Sequence, residues 1–144
     1  MSITEFLLAR IAEDEYDAKA FINDLGQAKH WRADDVGGRV RQVESPVFGL
    51  DDLIATTNTR MEAAHIARHD PARVLRECAA KRRMVDFIFR EAVSVDGEWG
   101  DSHDAAEIRA GKCSDQGGKM AEQGLAILAA AYADHPDYLP EWRA

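Results

Sequence analysis

Apolar residues Ile3, Leu7, Ile11, Ala18, Ile22 and Leu25 recur near the start of the chain at steps of three, four or seven positions, the period of a helix with one buried face. Ser2 followed three residues later by Glu5 has the form of a capping box, in which each residue's side chain accepts from the other's backbone N–H. The spacing therefore predicts a helix over 3–24, closed by Gly26. Its Glu13-Asp14-Glu15 run reads as a solvated side. Between 29 and 45 the helical period is lost: Trp31, Val36, Val40 and Val43 surround Gly37-Gly38. That dipeptide supplies the positive φ angles of a two-residue turn, which predicts a short hairpin. Leu53 to Thr57 reads either as a third strand or as a turn into the next helix.

Asn58 or Thr59 can cap a helix over 59–68, and Asp70-Pro71 is a cap followed by proline at the first helical position. The helix that begins there, over 71–93, places Val74, Leu75, Cys78, Val85, Ile88 and Phe89 on a broad apolar face. The polar stretch over 94–101 reads as a loop whose Trp99 is either a docking point or a lid over the core. A short helix over 103–110 stops at Gly111. The last helix, over 119–131, alternates bulky Met120, Leu125, Ile127 and Leu128 with small Gly124, Ala126, Ala129 and Ala130, a pattern that lets helices approach closely. Pro136 and Pro140 interrupt the irregular tail, whose Tyr138 and Trp142 are expected to fold back on the body. The pattern as a whole predicts a mainly α protein: a small single-domain helical bundle with a short β-hairpin after the first helix.

Composition adds limits. A chain of 144 residues with 46% hydrophobic content matches one domain with one core. The start of the chain lacks the basic and apolar runs of a signal peptide, and no apolar stretch is long enough to span a bilayer. We therefore expect a cytoplasmic protein with no membrane partner. Cys78 and Cys113 are too few for a disulfide framework and are expected as free thiols. The net charge is −8, which argues against general nucleic-acid binding. Residues 60–90 nevertheless hold eight basic and four acidic groups, so that segment carries +4 and the remainder −12.

Three groups of residues bear on chemistry. His65 and His69 stand four apart, on one side of a helix, and with Cys113 or His135 they would complete a tetrahedral zinc site. The alternative is that both flank a helix end, where imidazoles interact with the last carbonyls. The glutamate of a metalloprotease helix is missing, since Ile66 follows His65. Lys81-Arg82-Arg83 with Arg73, Arg76 and Arg90 offers a phosphate-binding surface. Three consecutive residues point around a helix, however, and the spacings Arg73/Glu77/Lys81 and Arg82/Asp86/Arg90 allow neutralising pairs instead. Cys78, on an apolar face, reads as an inert core thiol, and Cys113, near His103 and Asp115, as the more reactive one. Asp134, His135 and Asp137 read as an acid/base group or, more simply, as a turn.

The strings His65-Ile66-Ala67-Arg68-His69-Asp70-Pro71-Ala72-Arg73-Val74-Leu75, with Ala80-Lys81-Arg82-Arg83 following, and Tyr132-Ala133-Asp134-His135-Pro136-Asp137-Tyr138, with Glu141-Trp142 at the end, are long and unusual. Together with the Trp31 hairpin and Ile108-Arg109-Ala110-Gly111-Lys112-Cys113, they resemble domain of unknown function family 6221, found in actinobacteria and the bacteriophages that infect them. The resemblance implies a phage or prophage setting and carries no activity, cofactor or catalytic residue with it. The sequence thus leads us to expect a non-enzymatic interaction protein, without a cofactor, that binds a host or phage protein. Arg73, Arg76, Lys81, Arg83 and Trp99 are its candidate surface. The alternatives are a zinc-stabilised module or metal-dependent enzyme using His65, His69, Cys113 and His135, and nucleic-acid binding through the basic helix.

Overall fold

The computed structural model describes residues 1–23, 30–35, 37–43, 53–98, 106–107, 110 and 116–143. Helix α1 (Ile3–Asn23) is followed by strands β1 (Trp31–Ala33), β2 (Arg39–Gln42) and β3 (Leu53–Thr56), then by α2 (Arg60–Arg68), α3 (Pro71–Glu98) and α4 (Gln116–Ala129). Two 3-10 turns, Ala130–Tyr132 and Pro140–Trp142, close the chain. The protein is mainly helical, with a small antiparallel sheet after the first helix. Among the described residues no helix is long and apolar enough to cross a membrane. The chain forms two compact units, Met1–Ala12 with Ala79–Ala144, and Glu13–Cys78.

The first, helical unit buries Phe6, Leu7, Val85, Phe89, Ala92, Ala121, Leu125 and Ala129 in one cluster. Helix α1 starts where Ser2 and Glu5 cap it reciprocally: Ser2 N–H donates to Glu5 Oε2 at 2.7 Å and Glu5 N–H to Ser2 Oγ at 3.2 Å. The small residues of α4 allow close packing as expected, since a Cβ at Gly124 would stand 3.0 Å from Ile88 Cδ1. The tail folds back through its aromatic residues. Around the Phe6 ring lie Trp142 at 5.0 Å, Tyr138 at 6.0 Å and Tyr132 at 6.4 Å between centroids, contacts that add to the area these rings bury.

The second unit carries the sheet, in the order β1-β2-β3. Trp31 pairs with Gln42 and Ala33 with Val40, while Val40 also faces Ala55, with a bulge between Val40 and Arg41. Gly37 and Gly38 both have positive φ, +90° and +60°, as their dipeptide predicts. The two-residue turn is a correction: Asp34 N–H donates to Arg39 O at 2.8 Å, so the loop is longer than the glycine pair alone. Leu53 to Thr56 is a strand, because β2 offers it a second edge to pair with. Helix α2 packs on β1 and β2 and starts at a full capping box of Thr59 and Glu62.

Helix boundaries differ from expectation in two places. Helix α3 runs on to Glu98, through residues read as loop. Only Gly97 there disfavours helix strongly, by about 1 kcal/mol, and an established helix extends without a new nucleus. Helix α4 begins at Gln116 and tightens into a 3-10 turn at Ala130, a common way for a helix to end. Of the short helix expected over 103–110, Ala106 and Glu107 are helical and Ala110 N–H donates to Ala106 O at 3.0 Å. The rest of it lies outside the described residues, as does Gly26.

Candidate binding cleft in the sheet unit

Asp14, Asp17, Ala18 and Phe21 of α1 stand at positions i, i+3, i+4 and i+7, which places them on one helix face. Phe21 meets Trp31 of β1 edge to face, with ring centroids 5.5 Å apart and planes at 68°. His69, Pro71 and Val74, from the junction of α2 and α3, complete the lining of an open cleft of about 250 Å³. All eight lining residues belong to the sheet unit. Two carboxylates, two aromatic rings and an imidazole therefore meet over an aliphatic surface of Ala18, Pro71 and Val74. No hydroxyl, thiol or amine side chain lines the cleft among the described residues.

Local sequence holds the α2/α3 wall in place. His69 caps α2, its N–H donating to Ile66 O at 3.0 Å. The ring Nδ1 of His69 lies 2.9 Å from the His65 carbonyl oxygen. A carbonyl only accepts, so Nδ1 carries the proton, and in the neutral ring Nε2 keeps its lone pair. Asp70 follows as the cap of α3. Its Oδ1 accepts from Arg73 N–H at 2.7 Å, and its Oδ2 lies 3.2 Å from His30 Nδ1. Pro71 then occupies the first helical position, where the missing N–H costs nothing. The carboxylate cap and the proline thus fix where α3 begins, and with it the position of Val74.

The predicted site residues fall in different places. His65 and His69 are both exposed, with ring centroids 4.6 Å apart and planes tilted by 47°. The helix-end reading holds for His69, whose ring engages a terminal carbonyl. His135 belongs to the helical unit. Its Nδ1 accepts from Asp137 N–H at 3.1 Å, its ring packs 5.7 Å from Phe6, and Arg10 Nη1 lies 2.9 and 2.7 Å from its two nitrogens. The two ring lone pairs diverge, so one N–H group cannot lie in line with both, and the guanidinium sits against the ring. Arg10 Nη1 also reaches Asp137 Oδ2 at 3.4 Å. The 134–137 segment is thus a turn tied to α1 through Arg10. Among the described residues, no three His, Cys, Asp or Glu side chains are gathered in a way that would hold a metal. Cys113 and Trp99 lie outside the described residues. Cys78 is fully buried, as expected for a core thiol.

Of the basic strip, Arg73 Nε donates to Glu77 Oε1 at 2.6 Å, realising one predicted neutralising pair, and its Nη1 to Arg68 O at 3.2 Å. Lys81 Nζ donates to Tyr132 Oη at 2.6 Å. Arg76 and Arg83 are exposed. Sequence reasoning missed the cleft residues on α1 and β1. The acidic run is not wholly solvated, because Asp14 and Glu15 are half-buried. The signal was present in the helical spacing of two aspartates with an alanine and a phenylalanine, and it pointed to one face without saying what stood opposite.

A family model, that of a family of unknown function (DUF6221), matches residues 1–144. No curated protein and no solved structure matches the chain.

Proposed function

This chain belongs to DUF6221, a family of unknown function, so its role has to be read from its own residues, and we propose that it is a non-enzymatic interaction protein whose sheet unit receives a side chain of a partner protein. The cleft bounded by Trp31, Phe21, Asp14 and Asp17 carries this reading. At about 250 Å³ it falls below the roughly 300–1,000 Å³ typical of pockets for drug-sized ligands, and it is open. It fits one projecting side chain better than a nucleotide or cofactor. Tryptophan at such a position is also the residue type that most often anchors a protein interface. The proposal extends to the setting. The strings around 65–75 and 132–138 resemble an actinobacterial and actinophage family, which supports a phage or prophage protein acting in the cytoplasm on a host or phage protein.

An array of short peptides tiled from actinobacterial and actinophage proteins tests the reading. It would be probed with the native chain and with Trp31→Ala and Asp17→Arg variants. Specific peptides should bind, and both substitutions should weaken them by about tenfold or more, the loss of roughly 1.4 kcal/mol or more that marks an anchor contact. Binding that survives both substitutions, or no binding above background, would overturn the proposal.

One observation favours a second reading, a zinc-binding module. His65 and His69 present two rings 4.6 Å apart, and the carbonyl bond to His69 Nδ1 fixes that ring with Nε2 left to ligate, as second-shell partners do in metal sites. Zinc titration followed on the two imidazole resonances tests it. Saturable shifts abolished by His65→Asn support the reading, and unshifted rings refute it.

A further inference from the structure

We propose that the side chain received by the cleft is an arginine, its guanidinium held between the Phe21/Trp31 rings and the carboxylates of Asp14 and Asp17. This rests on the reading of the cleft as a protein-binding site and names the chemistry of its occupant. Three observations carry it.

The first is electrostatic. Asp14 and Asp17 stand three apart on one face of α1, where two like charges repel. A cation entering the cleft would be attracted by both carboxylates, and a carboxylate has lone pairs enough to accept further N–H groups beside any it already accepts.

The second is the ring geometry. In the edge-to-face contact of Phe21 and Trp31, the ring that presents its edge keeps both faces clear of its partner. A cation over such a face is attracted by the ring quadrupole.

The third is the mixture of surfaces. The aliphatic surface of the cleft suits the methylene stem of a long side chain, with the charged head at the acids. Arginine satisfies all three demands together, because its planar head both stacks on an aromatic ring and forks onto carboxylates. Lysine offers a point charge that does neither.

The test uses the full chain and four capped tripeptides, Gly-Xaa-Gly, in which Xaa is arginine, lysine, citrulline or norleucine. Binding is followed on the Trp31 indole N–H resonance, assigned by its loss in Trp31→Phe. The arginine peptide should give a saturable shift. Citrulline, which keeps the planar shape without the charge, should bind about tenfold more weakly, as should the arginine peptide to Asp17→Asn. Asp17 is exposed, so that variant should keep the native circular dichroism, and Asp14→Asn provides a second test of the acids. Lysine should bind more weakly than arginine, and norleucine should not bind. Equal binding of arginine and citrulline, an unaltered affinity in both Asn variants, or no saturable shift with the arginine peptide would overturn the inference. If array peptides without arginine bind at Trp31, the inference fails while the interaction reading stands. If no array peptide binds, both fail.

Discussion

The loop between β1 and β2 offers a sharp test, because its two adjacent glycines have different reasons to be glycine. Gly37 has φ +90° with nothing within 4 Å of the place a Cβ would occupy. Gly38 has φ +60°, and a Cβ there would stand 2.5 Å from the Thr57 carbonyl oxygen and 2.9 Å from Thr57 Oγ1. Alanine at Gly37 thus meets only the left-handed backbone penalty of about 1–2 kcal/mol, offset by about 0.4–1 kcal/mol from a less flexible unfolded chain. The net cost is about 1 kcal/mol. Alanine at Gly38 meets the same penalty and also drives the loop away from Thr57. It would break the bond that Thr57 N–H donates to Gly38 O at 2.7 Å and remove Gly38 O, at 2.9 Å, as an acceptor for the Thr57 hydroxyl, whose single proton can also go to Thr59 O at 2.7 Å. The N–H bond is worth about 1 ± 0.5 kcal/mol, so with the backbone penalty and the steric displacement Gly38→Ala should cost about 2–3 kcal/mol in all. Urea unfolding of both variants measures the totals. Hydrogen exchange at Val40 and Thr57 shows whether the loss is centred on the sheet. Equal destabilisation of the two variants, or a milder effect at Gly38, would refute the argument from steric contact.

Other perturbations follow from the caps. Thr59→Ala removes the capping box of α2 and should cost about 1 kcal/mol, read as a lower urea midpoint with an unchanged slope. Asp70→Ala should cost about 1–2 kcal/mol by removing the cap of α3, while Asp70→Asn, which can still accept from Arg73 N–H, should recover most of it. The Glu5 carboxyl is held below its ordinary value of 4.5 by the hydrogen bonds from Ser2, first its backbone N–H and then its hydroxyl. Because the folded value is the lower one, the cap's contribution is complete above the unfolded value and is lost as pH falls through the folded one. A carboxyl NMR titration should find Glu5 titrating below 4.5, and Ser2→Ala should move it back upward.

Much of the architecture was legible along the chain, and the residues show why. Ser2 with Glu5, Asn58 or Thr59 as a cap, and Asp70 with Pro71 act within one turn of backbone, so reading close neighbours was enough to place the starts of α1, α2 and α3, and the structure chose Thr59, with Glu62 completing its box. The apolar period of α1 and of α3 identified their buried faces for the same reason, whereas in α4 bulky Met120 and Ile127 are exposed and Leu125 and Ala129 are buried; the aromatic residues of the tail had to leave water somewhere. The loop length and the third strand were harder to read. Whether Leu53 to Thr56 pairs depends on the free edge of β2, which lies a dozen residues away in sequence.

The sequence by itself determined where α1, α2 and α3 start, the apolar faces that α1 and α3 bury, and that Gly37 and Gly38 adopt positive φ, because those outcomes are set by contacts within a few residues. The tertiary structure decided that Asp14, Trp31 and His69 line one cleft. No local propensity links positions so far apart. They meet only because packing of α1, the sheet and the α2/α3 junction brings them together, and the energy that does so resides in that packing rather than in any one segment.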